Sequence, residues 1–487
     1  MAQSEREHQI DEPEKVGHEV GVEESAQEWD PAIERKILRK LDFGILPVLW
    51  FLFLVSFVDR GNIGNAKIAG MTKDLHLVGN RYNVAVQVFT AAYVAFGLPA
   101  NILFKKIGPR SLPAMMFLWG LTVIGQGVTA SYQGLAACRF LEGMCEAGFV
   151  PGAAYLIGSY YKRDEFLKRY TFFFGAAIVA GAFNGLLSYA IAKMAGVGGY
   201  NGWRWIFILE GCTTVLVASI SFFLIVPFPQ QSKFLDPKEK KILLARLEAD
   251  GANVKHDQLR LLDALKDWKI WAATMVYIGA EENASSVVAF QPTVLSGLGY
   301  TSSAAQVHTI PVYAVAWVLS MTCAFFADRL RQRYIFAMVG MILTTVGLAI
   351  EIAQPKAAGA RYAGMFFLTS GPYIVMPVTV VWLAINLGKG YKRTVGLGVL
   401  IAVGNCGALV SANVFLTSET PKFHTGFSVG MGMNMLCAIG LTWLYIGLRM
   451  ENRRRDKTER VWNGTTEEDL ARLQDLGDQH PDFRYSL

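Results

Sequence analysis

Charge is what this chain of 487 residues has least of: Asp, Glu, Lys and Arg together make up 18%, against roughly a quarter in ordinary soluble domains. A disordered chain needs the reverse balance, few apolar residues and abundant charge; here 52% of residues are hydrophobic. Cysteine is also sparse. Six cysteines in this length, all inside apolar segments and none at metal-ligand spacing, exclude a disulfide scaffold and a zinc module. No glycine-rich loop leads into Lys-Ser or Lys-Thr, so a P-loop nucleotide-driven pump is excluded, and no nucleophile elbow or zinc-protease helix appears. The sequence therefore offers no enzyme reading and calls for no cofactor or metal. No short apolar core follows Met1, so no signal peptide is expected. The net charge is +6, but the basic residues form short clusters beside apolar blocks. That is a membrane-topology pattern and not a nucleic-acid stripe.

What is present is apolar sequence in bilayer-length blocks. Twelve segments, at about 43–64, 83–104, 112–131, 134–158, 170–193, 205–227, 268–295, 305–327, 334–353, 361–386, 394–417 and 424–448, are each near the length that crosses a bilayer. In lipid the backbone must satisfy its own hydrogen bonds, so each reads as a helix. The expected fold class is an all-α integral membrane protein of 12 transmembrane helices in two six-helix bundles. Its parts are a polar tail at 1–42, a first bundle at 43–228, a linker at 229–267, a second bundle at 268–449 and a second tail at 450–487. In the linker, Asp236-Pro237-Lys238-Glu239 is a helix start with Asp at the N-cap, Pro at N1 and Glu at N3. Ile242, Leu243 and Leu247 then give this short helix one apolar stripe.

Counting Lys and Arg in the loops places about 22 on one side and about nine on the other, which predicts that both tails and the linker are cytosolic. The sequons at Asn283 and Asn463 then fall in a helix and a cytosolic tail, and neither is expected to carry a glycan.

An internal repeat supports the division. Lys105-Lys106-Ile107-Gly108-Pro109-Arg110 follows the second span and Asp328-Arg329-Leu330-Arg331-Gln332-Arg333 follows the eighth, at an offset of 223 residues. Two six-helix halves with a basic turn in equivalent places resemble the parallel repeat of major facilitator transporters. Within them the chain is similar to the anion:cation symporter family, in its fungal allantoate, nicotinate and pantothenate permease branch.

The resemblance rests on several blocks between about residues 40 and 450. They are Asp59-Arg60-Gly61-Asn62-Ile63-Gly64-Asn65-Ala66, then Arg139-Phe140-Leu141-Glu142-Gly143 with Glu146-Ala147-Gly148 and Pro151-Gly152, and Gly202-Trp203-Arg204-Trp205-Ile206-Phe207 with Glu210-Gly211. Asn386, Lys392-Arg393, Asn405 and Pro421 to Gly426 echo the last third. Two departures stand out: Lys105 occupies the place where the first basic turn usually has Asp, kept in the second as Asp328, and the Glu281-Glu282 pair belongs to no block of the family pattern. The resemblance implies that Lys106, Arg110, Asp328, Arg329 and Arg333 belong to the gating turns.

The remaining charges lie inside spans, where each costs roughly 2.5–3.5 kcal/mol to insert and so must be paired or face water. Arg139, Glu142 and Glu146 are three and four residues apart and share one helical stripe. At 1.5 Å per residue, Asp59 is about 24 Å along the first span, Arg139 about 6 Å into the fourth and Glu146 about 16 Å in. Asp59, Arg60, Arg139 and Glu146 are thus expected to form one buried network.

An arginine pair suits a carboxylate, so Arg60 and Arg139 are expected to attract an anion; the resemblance implies Tyr93 and Asn405 as further substrate contacts, and both also read as packing residues. The resemblance implies that Asp59 and Glu146 couple proton entry to anion entry. Glu142, Glu281 and Glu282 are selectivity candidates, Arg139–Glu142 also reading as a fixed ion pair, and Glu210 is expected to pair with Arg204 or cap a helix end.

The function read from these residues is a proton-coupled plasma-membrane importer of a small organic anion. Its expected partners are that anion, protons and the lipid bilayer, with no nucleic acid, and it acts as a monomer. The alternatives are an exporter of an organic acid or secondary metabolite on the same fold and a non-transporting nutrient sensor.

Overall fold

The computed structural model describes residues 31–79, 81–162, 165–249, 264–297, 302–355, 357–388, 391–415, 419, 422–458, 478 and 483–487. The sequon at Asn463, Pro421 and most of both tails lie outside the described residues.

Among the described residues twelve helical spans are present. α1 (Pro31–Ala66) is followed by a π turn at Lys67–Met71, then α2 (Arg81–Ile107), α3 (Ser111–Val128), α4 (Tyr132–Glu146) with α5 (Phe149–Tyr160), α6 (Phe166–Ala192) and α7 (Gly202–Leu224). The linker helix α8 (Pro237–Ala249) leads to α9 (Trp268–Gly297), α10 (Ser302–Leu330), α11 (Arg333–Ala353), α12 (Ala358–Asn386), α13 (Tyr391–Gly404) with α14 (Cys406–Val414), and α15 (His424–Thr458). Ten of these spans are long and apolar enough to cross a membrane by length and composition alone. The other two, α4–α5 and α9, carry Glu142, Glu146, Glu281 and Glu282. Large apolar side chains such as Phe223, Leu216, Val318 and Ile439 stand outward on the bundle surface, as a lipid-facing exterior requires.

The sequence expects the fourth and eleventh spans to be continuous; each is interrupted by one or two residues that keep right-handed helical φ/ψ angles. The fourth breaks at Ala147-Gly148, where the chain runs so close to α2 that a Cβ on Gly148 would lie 2.9 Å from the Ala100 methyl. The eleventh breaks at Asn405, whose side-chain amide turns back to the Ile401 carbonyl at 2.7 Å.

In the first bundle α3 packs on α7, α1 on α6 and α2 on α4; in the second, α11 packs on α12 and α9 on α15. The bundles meet along two seams, α6 against α10 and α2 against α13. The face that carries α8 is closed by cross-bundle bonds. The Lys168 backbone N–H donates to Asp328 Oδ2 at 2.9 Å, Arg393 Nη1 donates to the Gly158 carbonyl at 3.4 Å, and Asn101 donates to the Thr394 carbonyl.

The repeat is visible in the backbone. Gly108 in the first turn and Arg331 in the second, 223 residues apart, both take the left-handed conformation, at φ 94° and φ 53°. Glycine adopts it without strain, whereas arginine does so at some cost.

α8 starts as its sequence expects: the Asp236 N–H donates to Glu239 Oε2 at 3.1 Å, and Leu243 and Leu247 are buried. Lys40 on α1 pairs with Glu239 at 2.7 Å. Arg246 on α8 pairs with both Glu34 on α1 and Glu165 ahead of α6, so α8 is fastened to the first bundle.

Candidate functional site

The central charges resolve into two ion pairs and a separated carboxyl group, not one network. Arg60 Nε donates to Glu146 Oε1 at 2.7 Å, joining α1 to the last residue of α4. Ser56, one turn before Arg60, donates to the same oxygen at 2.6 Å. Arg139 Nη1 donates to Glu142 Oε2 at 2.8 Å, and Gln126 of α3 reaches that oxygen at 2.8 Å.

Asp59 takes no part in either pair. Residues 59 and 60 are adjacent on a helix and point about 100° apart. While Arg60 faces the centre, Asp59 turns into the first bundle, where Thr214 at 2.7 Å and Trp119 at 3.2 Å donate to its Oδ2. The acids Glu142 and Glu210 act on Asp59, and its Oδ1 has no hydrogen-bond partner among the described residues.

Both arginines rest on one ring. The Phe89 centroid lies 4.4 Å from the Arg139 guanidinium carbon and 5.8 Å from that of Arg60. Arg60 is further enclosed by Phe57 at 5.1 Å and Tyr93 at 5.0 Å. An aromatic face attracts a cation by roughly 0.5–2 kcal/mol, so this box holds the guanidinium without consuming its donors. Arg60 Nη2 and the buried Tyr93 hydroxyl are left with no hydrogen bond of normal length. The Arg60 side chain remains 19% exposed, against 3% for Arg139, so Arg60 is the more accessible of the two.

From the second bundle, Glu281 is the acid whose charge acts on Arg60; Ser285 donates to its carboxylate at 2.9 Å. Tyr277, one turn before it, and Tyr373 on α12 share its surroundings. Glu282 is turned away from the path. It is fully buried, accepts from Ser286 at 3.1 Å, and through Ser286 meets Ser411 of α14 at 2.9 Å.

Asn405 caps the break in the eleventh span with its amide directed at its own helix. Glu210 does not pair with Arg204: it lies two turns deeper and accepts from Ser188 at 3.5 Å. Arg204 donates to the carbonyls of Gly127 and Thr129 and sits 3.6 Å from Asp74.

In the gating turns, Lys106, Arg110 and Arg329 are exposed, while Asp328 and Arg333 are buried beside each other at 3.5 Å.

Sequence reasoning missed Phe89, Phe57 and Ser56. The available signal was helical spacing: Phe57 and Ser56 precede Arg60 by about one turn, and Phe89 precedes Tyr93 by one turn. That Phe89 carries both guanidinium groups depends on how α1, α2 and α4 pack.

Residues 49–443 match the profile of the Major Facilitator Superfamily. The chain is 29% identical over 462 residues to a high-affinity nicotinic acid transporter of Saccharomyces cerevisiae, covering 93% of this chain and 85% of that protein. It is 32% identical over 476 residues to the MFS-type transporter cnsO of Penicillium expansum, covering 94% and 91%. Among solved structures, a proton:xylose symporter superposes with a TM-score of 0.67 at 14% identity over 83% of this chain and 96% of that one. A bacterial homologue of the human lysosomal transporter Spinster, inward-facing and occupied, gives 0.56 at 14% identity over 86% and 98%.

Proposed function

This chain belongs to the Major Facilitator Superfamily, and we propose that it is a proton-coupled symporter that imports a small organic anion, a carboxylate, by alternating access of its two bundles. The observation that carries this reading is the Arg60 guanidinium, boxed by Phe57, Phe89 and Tyr93, tied to one carboxylate through Nε and holding an unsatisfied, buried Nη2. Arginine's planar fork suits a carboxylate, and here half of the fork is already engaged by Glu146.

This geometry supports an exchange that couples the two ligands. When Glu146 takes up a proton, its charge attraction for Arg60 is lost and Arg60 requires another anion. A substrate carboxylate arriving at Nη2 supplies it. Proton and anion therefore favour each other at one guanidinium, and one of each enters without net charge.

Asp59 is a second proton site of a different kind. A carboxyl group buried without a cation is costly in its ionised form, so a rearrangement of α1 against Trp119 and Thr214 would change its proton affinity. Arg139, held by Glu142 and stacked on the same Phe89, keeps the local potential positive. Tyr93 faces the substrate, and Asn405 permits the break that lets α13–α14 approach it.

The similarity to a nicotinic acid transporter supports an aromatic monocarboxylate as the first substrate to test. The excess of Lys and Arg on the α8 face supports cytosolic tails.

Uptake of labelled nicotinate, pantothenate, allantoate and a sugar acid by cells lacking their own permeases, at acid and at neutral pH, tests the reading. Accumulation of one such anion that is faster at acid pH and abolished by a protonophore is expected. Accumulation of a neutral sugar alone, or net efflux of a preloaded acid, overturns it.

A further inference from the structure

The second bundle closes its α8 face around a piece of this same chain. Residues 483–487 run along that mouth, and two asparagines read their backbone. Asn452 of α15 accepts from the Tyr485 N–H at 2.9 Å and donates to the Tyr485 carbonyl at 2.9 Å. Asn386, the last residue of α12, accepts from the Ser486 N–H at 2.8 Å and donates to the Ser486 carbonyl at 3.0 Å, where Trp382 also donates at 2.8 Å. The Arg333 N–H donates to the Leu487 carbonyl at 3.0 Å and Arg333 Nη1 to the Ser486 hydroxyl at 2.7 Å. The Tyr485 ring lies under Arg455 at 4.5 Å and Lys269 at 4.8 Å. The Asp478 carboxylate bridges Lys269 at 3.0 Å and Lys392 at 2.8 Å.

This is a built site and not a loose surface contact. Trp382, Asn386, Arg333 and Asp478 are all nearly inaccessible, and Tyr485 is 6% exposed. The segment touches α9, α11, α12, α13 and α15.

Its position relative to the closing contacts is specific. Arg333, gripped by Ser486 and Leu487, neighbours Asp328, which accepts from Lys168 of the first bundle. Lys392, gripped by Asp478, is followed by Arg393 and Thr394, which make the other two cross-bundle bonds. The same two turns thus hold the segment on one side and the first bundle on the other.

We propose that residues 483–487, together with Asp478, are a latch that docks in cis on the mouth of the second bundle and favours the state closed on this face. Opening this face requires Asp328 and Arg393 to leave the first bundle. A docked segment fixes their neighbours in the closed arrangement, and its release lets the turns move. The proposal concerns gating and does not depend on which substrate occupies the Arg60 site.

The test uses the full chain in lipid nanodiscs. Spin labels are placed at Ile107→Cys and Leu330→Cys, exposed and 223 residues apart at equivalent ends of α2 and α10, in a background without native cysteines. The distance distribution is compared between the parent and Tyr485→Ala/Ser486→Pro, which removes the ring and one backbone donor. The milder Tyr485→Leu serves if the double variant does not fold.

Expected is a shift of population toward longer distances in the folded variant, reversed by a synthetic peptide of residues 478–487 and not by its scrambled sequence. An unchanged distribution overturns the proposal. So does a shift that the peptide fails to reverse, since the segment would then be only a structural brace.

Discussion

Arg60 and Glu146 meet at 2.7 Å through a single nitrogen, Nε, and the buried Arg60 Nη2 beside it has no hydrogen-bond partner. A bidentate pair would be a closed structural unit. This one is half-open, and it lies at the break between α4 and α5.

The first prediction concerns that pair. Removing one partner of a buried charge pair costs about 2–5 kcal/mol, or roughly thirtyfold or more in an equilibrium constant. Glu146→Gln is expected to keep substrate binding but lose the acceleration of uptake at acid pH, and Arg60→Lys to raise the KM for the anion at least tenfold. Uptake kinetics at two pH values check both. A Glu146→Gln protein with the parent's pH profile would remove Glu146 from the coupling.

Phe89 supports both arginines. Phe89→Leu preserves apolar volume but removes the ring face, with an expected loss of about 0.5–2 kcal/mol per guanidinium contact. It should raise the KM several-fold at parental expression, while Phe89→Tyr should stay near the parent. Equal KM values for the Leu and Tyr variants would show that the ring acts only as filler.

Gly143 on α4 lies against the Phe89 backbone, and an added Cβ would overlap the Phe89 carbonyl oxygen. Gly143→Ala is expected to push α2 from α4, at about 1–3 kcal/mol as for an overpacked core. The measurement is the melting temperature in detergent together with uptake: both should fall, and transport should suffer even where the protein still folds.

The Glu281 carboxyl group acts on Arg60 from the second bundle. Glu281→Gln should improve the competition of dicarboxylates against monocarboxylates, because the second negative charge of the ligand no longer faces an acid. An unchanged ratio of inhibition constants would remove Glu281 from selectivity.

Asp267, just ahead of α9, gives a pH prediction. Burial acts to raise its carboxyl, but Lys269 at 2.8 Å and Lys392 at 2.6 Å outweigh it and hold it below the usual range. A lowered folded-state pKa means that its stabilisation is fully present above the ordinary carboxylate value of about 3.9 and lost as pH falls through the folded value below that. The melting temperature should therefore owe nothing to Asp267 titration between neutral and mildly acid pH. It should drop below about pH 4, and Asp267→Asn should flatten that acid limb. A drop at mildly acid pH that Asp267→Asn abolishes would contradict this.

Much of the fold was legible from apolar run length, because a bilayer leaves the backbone few options. The twelve spans, the start of α8 at Asp236 and the repeat of the basic turns are local or periodic features, and the sequence carries them openly. The close approach at Gly148 was not legible: it reads as an ordinary packing glycine, and the neighbour it meets, Ala100, is 48 residues away.

For the site, the sequence by itself determined which charges lie within spans, and hence that Arg60, Arg139, Glu142, Glu146 and Glu281 need partners. Only the tertiary structure decided the pairing. A helix turns about 100° per residue, so depth alone could not show that Asp59 faces Thr214 while its neighbour Arg60 faces Glu146. Nor could it show that Phe89 lies beneath both arginines, or that Tyr485 and Ser486 fold back onto Asn452 and Asn386. Those relations join residues far apart in the chain, and packing, which no local pattern encodes, brings them together.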